Sequence, residues 1–206
     1  GILASIPNDL ATASPPTGPL PRAERQEAIL RGAARAFARS GYAATSMEEI
    51  AAASGITKLI VYRHFESKEE LYRAVLQRVF DRLAEEFLTA YAAAPRSPGA
   101  GPRSMLRVAR EDPEGFRLLW RHAAREPQFA TYALELRDHA VDASRALLLG
   151  RVDPTLHEWA AQTVVGEIVE GTLNWLEHGD PERDAEFVQL MSASIRAAIT
   201  AWEEAG

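Results

Sequence analysis

The chain has 206 residues, of which 47% are hydrophobic and 25% charged, which is ordinary for a globular protein of one large or two smaller domains. It has no cysteine, which excludes disulfides and thiolate metal sites and is compatible with a reducing cytoplasm, where we expect the protein to act. It shows neither a run of about 18 apolar residues nor a basic segment leading into an apolar one, so we expect no membrane span and no signal peptide.

The net charge of −6 is unevenly distributed along the chain. Residues 22–80 carry ten Lys and Arg against seven Glu, whereas residues 81–206 carry 13 basic and 21 acidic side chains. A basic module on an acidic body attracts DNA phosphates at one end and repels them elsewhere. The charge pattern therefore favours nucleic acid as a partner of the N-terminal part.

Residues 1–21 are rich in proline and small polar residues, which predicts a flexible N-terminal tail. A minor-groove arm is the alternative, but the segment has no Lys or Arg before Arg22. From Arg22 the apolar residues Ile29, Ala33 and Phe37 recur at helical spacing, and Gly41 ends this first helix.

Two short helices follow, joined by a tight turn. Thr45 and Ser46 each have a Glu three residues on, the spacing of a capping box that starts a helix. Gly55 provides the positive φ of the turn, and a second short helix begins near Thr57. Such a pair is the shape of a helix-turn-helix, whose second helix enters the major groove of DNA.

The run TSMEEIAAASGITK, followed by VYRHFESKEEL, resembles the DNA-binding domain of the TetR (tetracycline-repressor-like) family over about residues 22–80. This resemblance implies an all-α fold. It places an N-terminal three-helix helix-turn-helix bundle in residues 22–67, after the tail at 1–21. A larger helical regulatory and dimerisation domain is then expected over residues 68–206.

The rest of the chain also reads as helical. A long helix runs from Lys68 to about Ala94, and the Pro- and Gly-rich residues 95–102 interrupt it. Asp-Pro pairs at 112–113, 153–154 and 180–181 each predict a helix start. We therefore expect further helices over residues 103–110, 113–125, 129–149, 154–178 and 181–204, which gives about nine helices in all.

Base reading is expected from the exposed start of the recognition helix, where Leu59 and Ile60 can contact thymine methyls and Lys58 can reach a guanine edge or a phosphate. Hydroxyls at helix N-termini suit phosphates, and the resemblance implies that Tyr62, His64 and Lys68 hold the DNA backbone. Tyr62 as a packing residue and His64 paired with Glu66 are the alternatives. The predicted DNA-binding residues are Thr45, Ser46, Thr57, Lys58, Leu59, Ile60, Tyr62, His64 and Lys68.

The C-terminal part holds more aromatic bulk than a helical bundle needs to close. With polar residues on the same helices, these side chains predict an apolar pocket with a few polar anchors for a small apolar or amphipathic effector. The alternative is that the aromatic residues are plain core and the polar ones are solvated. The predicted ligand-binding residues are Phe116, Trp120, His122, Phe129, Trp159, Gln162, Glu167, Asn174 and Trp175.

The last two predicted helices suit a dimer interface, because glycines permit close approach and aliphatic residues offer apolar surface. The resemblance implies a four-helix bundle with a two-fold mate, and internal packing of a monomer is the alternative. A two-fold dimer predicts a near-palindromic operator. The predicted interface residues are Val165, Gly166, Val169, Leu190, Ile195 and Ile199.

The sequence argues against an enzyme, and we expect no cofactor and no metal site. The five histidines never fall at H-x-x-x-H spacing, position 161 after His157-Glu158 is Ala, and G-x-S-x-G is absent. A non-specific DNA-coating protein would need more positive charge. We therefore expect a sequence-specific DNA-binding transcriptional regulator, a repressor released by its ligand. The alternative is an activator or ligand sensor whose DNA binding requires its effector.

Overall fold

The computed structural model describes residues 18–205, and over this range it contains nine α-helices and no strand. The predicted all-α fold is thus confirmed, while most of the predicted N-terminal tail lies outside the described residues. The helices are α1 Arg22–Ser40, α2 Met47–Ser54, α3 Lys58–His64, α4 Lys68–Ala93, α5 Ala100–Glu111, α6 Pro113–Arg117, α7 Ala130–Leu148, α8 His157–His178 and α9 Asp184–Glu204.

Helices α1 to α3 enclose one small apolar core. Ile29 and Phe37 of α1, Ile50 of α2 and Val61 of α3 are at most 1% exposed. The Ser46 hydroxyl accepts a hydrogen bond from the Glu49 backbone N–H at 3.2 Å, which forms the predicted capping box at the start of α2.

Two glycines shape this small bundle. Gly55 has a φ of 66°, the left-handed conformation that turns the chain from α2 into α3. Gly32 allows α1 and α2 to approach closely, because a Cβ at this position would lie 2.7 Å from the Cα of Ser54. The sharp turn and the close helix crossing together set the angle at which α3 leaves the bundle.

Helix α4 connects the small bundle to the rest of the protein. Its 26 residues span about 39 Å at the usual rise of 1.5 Å per residue. Its first half buries Leu71 and Val75 beside α1, and its second half packs along α5. One continuous helix thus contacts both the small bundle and the C-terminal helices.

Four of the predicted helix limits need correction. Helix α5 begins at Ala100, inside the Pro- and Gly-rich segment that was predicted to interrupt the helices up to residue 102. The segment predicted as one helix over 113–125 is α6 followed by a π-helical turn at Leu118–His122 and a 3₁₀ turn at Ala123–Arg125. Asp153 does not start α8: its carboxylate accepts the Thr155 backbone N–H at 2.7 Å in a local turn, and the helix begins at His157. Asp180-Pro181 starts a short 3₁₀ turn before α9. Among residues 18–205, no helix is both long enough and apolar enough to cross a membrane.

Candidate functional site

The recognition helix α3 shows one face to solvent and buries the other. Leu59 and Tyr62 are 63% and 44% exposed, and Thr57 and Lys58 are also exposed. Val61 is fully buried and anchors the helix in the small bundle. Three of the four predicted base-reading residues, Thr57, Lys58 and Leu59, therefore lie on the exposed face, whereas the fourth, Ile60, is half-buried.

Without DNA, Lys58 forms an ion pair with another residue of the same chain. Its ammonium forms an ion pair with Glu48 of α2 and lies 5.8 Å from the centre of the Tyr62 ring. The hydrogen bond between the two groups raises the pKa of Lys58 and lowers the pKa of Glu48, so both are charged at neutral pH. Contact with DNA therefore requires Lys58 to exchange a carboxylate for a phosphate or a guanine edge.

Lys68, at the start of α4, holds the loop that precedes α2. Its ammonium donates a hydrogen bond to the Tyr42 carbonyl at 2.9 Å and lies 4.4 Å from the centre of the Tyr42 ring. An ammonium has three N–H groups, so these contacts leave capacity for a phosphate. Lys68 therefore has a structural role in addition to its predicted contact with the DNA backbone.

His64 is half-buried at the end of α3. Its Nδ1 is enclosed and has no hydrogen-bond partner among the described residues. Burial lowers the pKa of His64, and the positive charges of Arg22 and Arg25 lower it further. The imidazole is therefore neutral at pH 7, and no hydrogen bond joins it to Glu66 in the described structure.

The hydroxyls of Thr45 and Ser46 serve the fold. Thr45 is 2% exposed, and its Oγ1 donates a hydrogen bond to the Gly41 carbonyl at 2.6 Å. The phosphate contact predicted at Thr45 is therefore wrong, because this hydroxyl is buried and already bonded. Ser46 is half-buried, and its backbone N–H donates to the Glu49 carboxylate at 2.7 Å. This N–H is therefore not free to bind a phosphate, so Ser46 is only partly available for the predicted contact.

An aromatic cluster of Phe37, Tyr42, Tyr72 and Phe129, here called the aromatic junction, joins the small bundle to the rest of the protein. Phe129 precedes α7 and stacks on Tyr72 with ring centres 4.3 Å apart. It also meets Tyr42 edge to face at 4.8 Å. The ring of Phe129, predicted as a ligand contact, is fully buried and packs in this junction.

The other aromatic residues predicted to bind ligand do not converge on one site. Phe116 is fully buried core, and Trp120 packs beside it at 6.3 Å between ring centres. Trp175 donates its indole N–H to Asp184 at 2.7 Å. Trp159 is 52% exposed and packs against Trp202 at the surface.

The polar residues predicted as ligand anchors are also dispersed. His122 and Asn174 are exposed. Gln162 donates its amide to Glu158 at 3.0 Å, and the Glu167 carboxylate accepts the Ser194 hydroxyl. None of the nine predicted ligand residues lines the cavity described next, so a ligand in that cavity would contact other residues.

A cavity of about 630 Å³, here called the distal cavity, lies between the C-terminal ends of α4 and α7, the start of α5, and α8 and α9. Its wall is mostly apolar and includes Phe87, Leu147, Val164, Ile168 and Ile195. Sequence reasoning missed it because five separate segments supply the wall. The one local signal was the Pro- and Gly-rich break at residues 95–102, whose Arg96, Ser97 and Pro98 form part of the rim.

The residues predicted to form a dimer interface fall into two groups. Val165, Val169, Ile195 and Ile199 are at most 3% exposed within one chain, so they are internal packing and that part of the prediction is wrong. Leu190 is 60% exposed and Gly166 is half-buried. With Trp159, these two residues mark the faces of α8 and α9 that are left open.

The comparisons with known proteins agree with this architecture. The family described as "Bacterial regulatory proteins, tetR family" matches residues 29–75, which span α2, α3 and parts of α1 and α4. The HTH-type transcriptional activator FasR of Mycolicibacterium smegmatis is 33% identical over 174 residues, which cover 79% of this chain and 77% of that protein.

Solved structures show the same fold. A TetR-like transcriptional regulator from Rhodococcus sp. RHA1 has a TM-score of 0.73 at 23% identity and covers 88% of this chain and 99% of its own. AibR, solved in complex with isovaleryl coenzyme A and operator DNA, has a TM-score of 0.65 at 24% identity, with coverages of 83% and 97%. The helix-turn-helix, the helical body and the FasR match together show that the chain belongs to the TetR family of regulatory proteins and is a DNA-binding transcriptional regulator.

Proposed function

We propose that the protein is a homodimeric operator-binding repressor that a small apolar or amphipathic ligand releases from DNA. Residues 22–67 serve as the DNA-reading unit and residues 68–206 as the regulatory and dimerisation unit. The observation that carries the proposal is the face of α3, which exposes Lys58, Leu59 and Tyr62 while Val61 fixes the helix in a core. Side chains held in this way can enter a major groove together.

In this proposal the predicted DNA-binding residues other than Thr45 divide the work of DNA binding. Leu59 and Ile60 contact thymine methyl groups, and Lys58 and Thr57 supply polar contacts to base edges or phosphates. Tyr62, His64, Lys68 and the partly available Ser46 hold the phosphate backbone. An apolar centre in the reading face favours A·T-containing steps, because only thymine carries a methyl group in the major groove.

The dimer brings two recognition helices onto successive major grooves. Two-fold pairing through the open faces of α8 and α9 places two equivalent α3 helices, and half-sites about 34–36 Å apart suit such a pair. The operator is then near-palindromic. A lone chain would contact one half-site only and bind weakly.

The distal cavity lies about 30 Å along α4 from Lys68, counted at 1.5 Å per residue. A ligand that fills it moves the C-terminal end of α4, and the aromatic junction transmits this movement to the loop that Lys68 holds. The ligand favours a conformation whose recognition helices are wrongly spaced for DNA. AibR, which shares the fold, was solved with both a ligand and operator DNA.

The test is selection of bound duplexes from a random DNA library at moderate salt, without added ligand. We expect enrichment of one near-palindromic site with half-sites about one helical turn apart. Enrichment of a single half-site would contradict the dimer, and enrichment of no sequence would contradict ligand-free operator binding.

A second candidate function is transcriptional activation, which the FasR match favours because that relative is named an activator. Repression requires only occupancy of a promoter, whereas activation also requires a productive contact with RNA polymerase. In vitro transcription from a promoter that contains the selected operator separates the two. Lower transcript yield on addition of the protein supports the repressor, and higher yield supports the activator.

A further inference from the structure

The rim of the distal cavity carries a concentration of positive charge. Arg96 and Arg151 line this cavity, and both also line an adjoining cavity of about 190 Å³ together with Arg196. These three residues are here called the arginine mouth. Within the described structure, no Asp or Glu is among the residues that line either cavity. The 126 residues from 81 to 206 carry eight more acidic than basic side chains. A cluster of arginines with no carboxylate in the cavity lining is therefore unexpected in this part of the chain.

Two of the three guanidinium groups are available. Arg151 donates a hydrogen bond to Glu203 at 2.5 Å, which occupies one of the N–H donors of its guanidinium group. Arg96 and Arg196 are exposed and form no ion pair within the described residues. Clustered guanidinium groups repel one another, and an anion placed among them would relieve that repulsion while accepting bidentate hydrogen bonds.

The interior of the cavity has the opposite chemistry. The wall is apolar where it is formed by Phe87, Leu147, Val164 and Ile168. The hydroxyls of Ser97 and Ser144 are the few polar groups beside them. An apolar group in such a chamber is stabilised by about 25 cal/mol per Å² of surface removed from water. The cavity thus offers an apolar interior behind a cationic entrance.

We propose that the effector is an amphipathic anion whose acyl chain fills the distal cavity and whose carboxylate or phosphate groups are held by the arginine mouth. This inference rests on the proposed function, because it names the ligand of the same regulatory site. A carboxylate of a free fatty acid and the phosphates of an acyl coenzyme A share this chemistry. A neutral or cationic amphiphile would leave the guanidinium groups without a counter-charge.

The experiment is calorimetric titration of the 206-residue protein with palmitate, palmitoyl coenzyme A, coenzyme A alone and hexadecyltrimethylammonium. We expect binding of one or both acyl anions, much weaker binding of coenzyme A without a chain, and no comparable binding of the cation. Binding of palmitate and palmitoyl coenzyme A alike would show that one carboxylate suffices. Preference for palmitoyl coenzyme A would show that the mouth takes phosphates. Comparable binding of the cation, or binding of neither anion, would overturn the proposal.

Variants locate the two ends of the ligand. Replacing both Arg96 and Arg196 by Gln should weaken binding of the acyl anion about tenfold or more, since each lost charge-assisted hydrogen bond is worth at least a tenfold change. The control replaces Arg103 and Arg125, two exposed arginines outside both cavities, so that the net charge changes equally. Ala143→Phe, which places a ring in the chamber, should abolish binding of the chain. Equal affinity of the Arg96/Arg196 variant and its control would overturn the assignment of the mouth.

Operator binding by the same samples separates this inference from the proposed function. Variants that bind the selected operator but fail to bind acyl anions show that they are folded, which makes the ligand result interpretable. A wild-type protein that binds the operator and none of the probes would overturn the ligand class alone. A wild-type protein that binds acyl anions but no DNA sequence would overturn the proposed function and leave the ligand class intact.

Discussion

Glu48 and Lys58 hold each other at the DNA-reading surface, and this pairing sets an electrostatic cost for binding. Both side chains are at least half exposed, so the pair adds little to the stability of the fold. Its consequence lies in the proposed DNA contact of Lys58, because the Glu48 carboxylate would repel phosphates and compete with them for this ammonium. Lys58 is the cation on the exposed face of α3 that this carboxylate neutralises.

We predict that Glu48→Gln tightens DNA binding severalfold at low salt, because it removes one negative charge beside the phosphates and releases Lys58. The measurement is a fluorescence-anisotropy titration with the selected operator at several salt concentrations. Glu85→Gln, an equal change of charge on an exposed position of α4, is the control and should have little effect. Weaker binding by Glu48→Gln would mean that Glu48 contacts DNA productively.

His64 predicts a pH dependence of DNA binding. In the free protein burial and the neighbouring Arg22 and Arg25 hold the pKa of His64 below its usual value of 6.5. A nearby phosphate favours the charged imidazolium, so the complex has the higher pKa and takes up a proton on forming. Affinity should therefore rise as pH falls from about 7.5 to about 6, by at most tenfold per pH unit for one proton.

The pH profile is measured by anisotropy at constant ionic strength, with His64→Gln as the comparison. This variant keeps a polar side chain but cannot become charged, so its profile should be flatter than that of the wild type. The other four histidines lie in residues 81–206, outside the proposed DNA-reading unit. Identical profiles for the two proteins would remove His64 from the backbone contacts.

At the scale of helices, Arg78 on α4 connects three elements. Its guanidinium binds Glu27 of α1 and, at 2.6 Å, Asp112. The Asp112 carboxylate also caps α6 by accepting the Gly115 backbone N–H at 2.9 Å. One arginine therefore joins the N-terminal bundle to the C-terminal helices, alongside the aromatic junction.

We predict that Glu27→Gln lowers the free energy of unfolding by about 0.5–1 kcal/mol at pH 7, a value that allows for solvent screening of a carboxylate that is 42% exposed. The hydrogen bond from Arg78 lowers the pKa of Glu27 in the fold. Its stabilisation is thus present above the unfolded pKa of 4.5 and is lost as pH falls through the lower folded value.

Urea denaturation at one protein concentration, from pH 7 down to about pH 4, measures this difference. The difference in the free energy of unfolding between wild type and Glu27→Gln should become smaller as the pH falls. Glu24→Gln, on the same helix but without an ion pair among the described residues, should match the wild type throughout. A gap that stays constant with pH would show that the carboxylate charge is not what Arg78 recognises.

The elements that the sequence predicted best are those with local signals. Ser46, followed three residues later by Glu49, caps α2 as expected, and Ser67, followed three residues later by Glu70, caps α4 in the same way. Thr45 has the same spacing, yet it is buried, because its neighbours in space are the end of α1 and Gly41. Burial depends on the packing of distant segments, which a local pattern does not contain.

The proposed ligand site could not be predicted from local sequence patterns for the same reason. Aromatic residues predicted as ligand contacts are bulky and apolar, and that property suits Phe116 and Phe129 equally well for the core. The distal cavity instead takes its wall from Phe87, Tyr91 and several small and aliphatic residues on five segments, and the arginines at its rim follow no helical period. Such a site follows from the arrangement of helices and not from the composition of any one of them.

At the scale of the whole molecule, two exposed leucines of nearly equal exposure have different predicted roles. Leu190 lies on α9 and is 60% exposed, and Leu59 lies on α3 and is 63% exposed. An exposed apolar side chain on a helix marks a surface that binds a partner when it belongs to a larger apolar face. Here the proposed partners differ: a second copy of the chain for Leu190 and DNA for Leu59.

We predict that Leu190→Asp converts the dimer to a monomer, because two copies of the new carboxylate would face one another across the two-fold axis without compensation. Leu59→Asp should leave the dimer intact and weaken operator binding, since its carboxylate faces the DNA. Light scattering coupled to gel filtration measures the mass, and anisotropy measures binding to whole operators and half-sites. Leu190→Asp should bind a half-site and a whole operator with similar affinity. A dimeric Leu190→Asp would place the interface elsewhere, and a monomeric Leu59→Asp would show that the DNA-reading units themselves hold the dimer together.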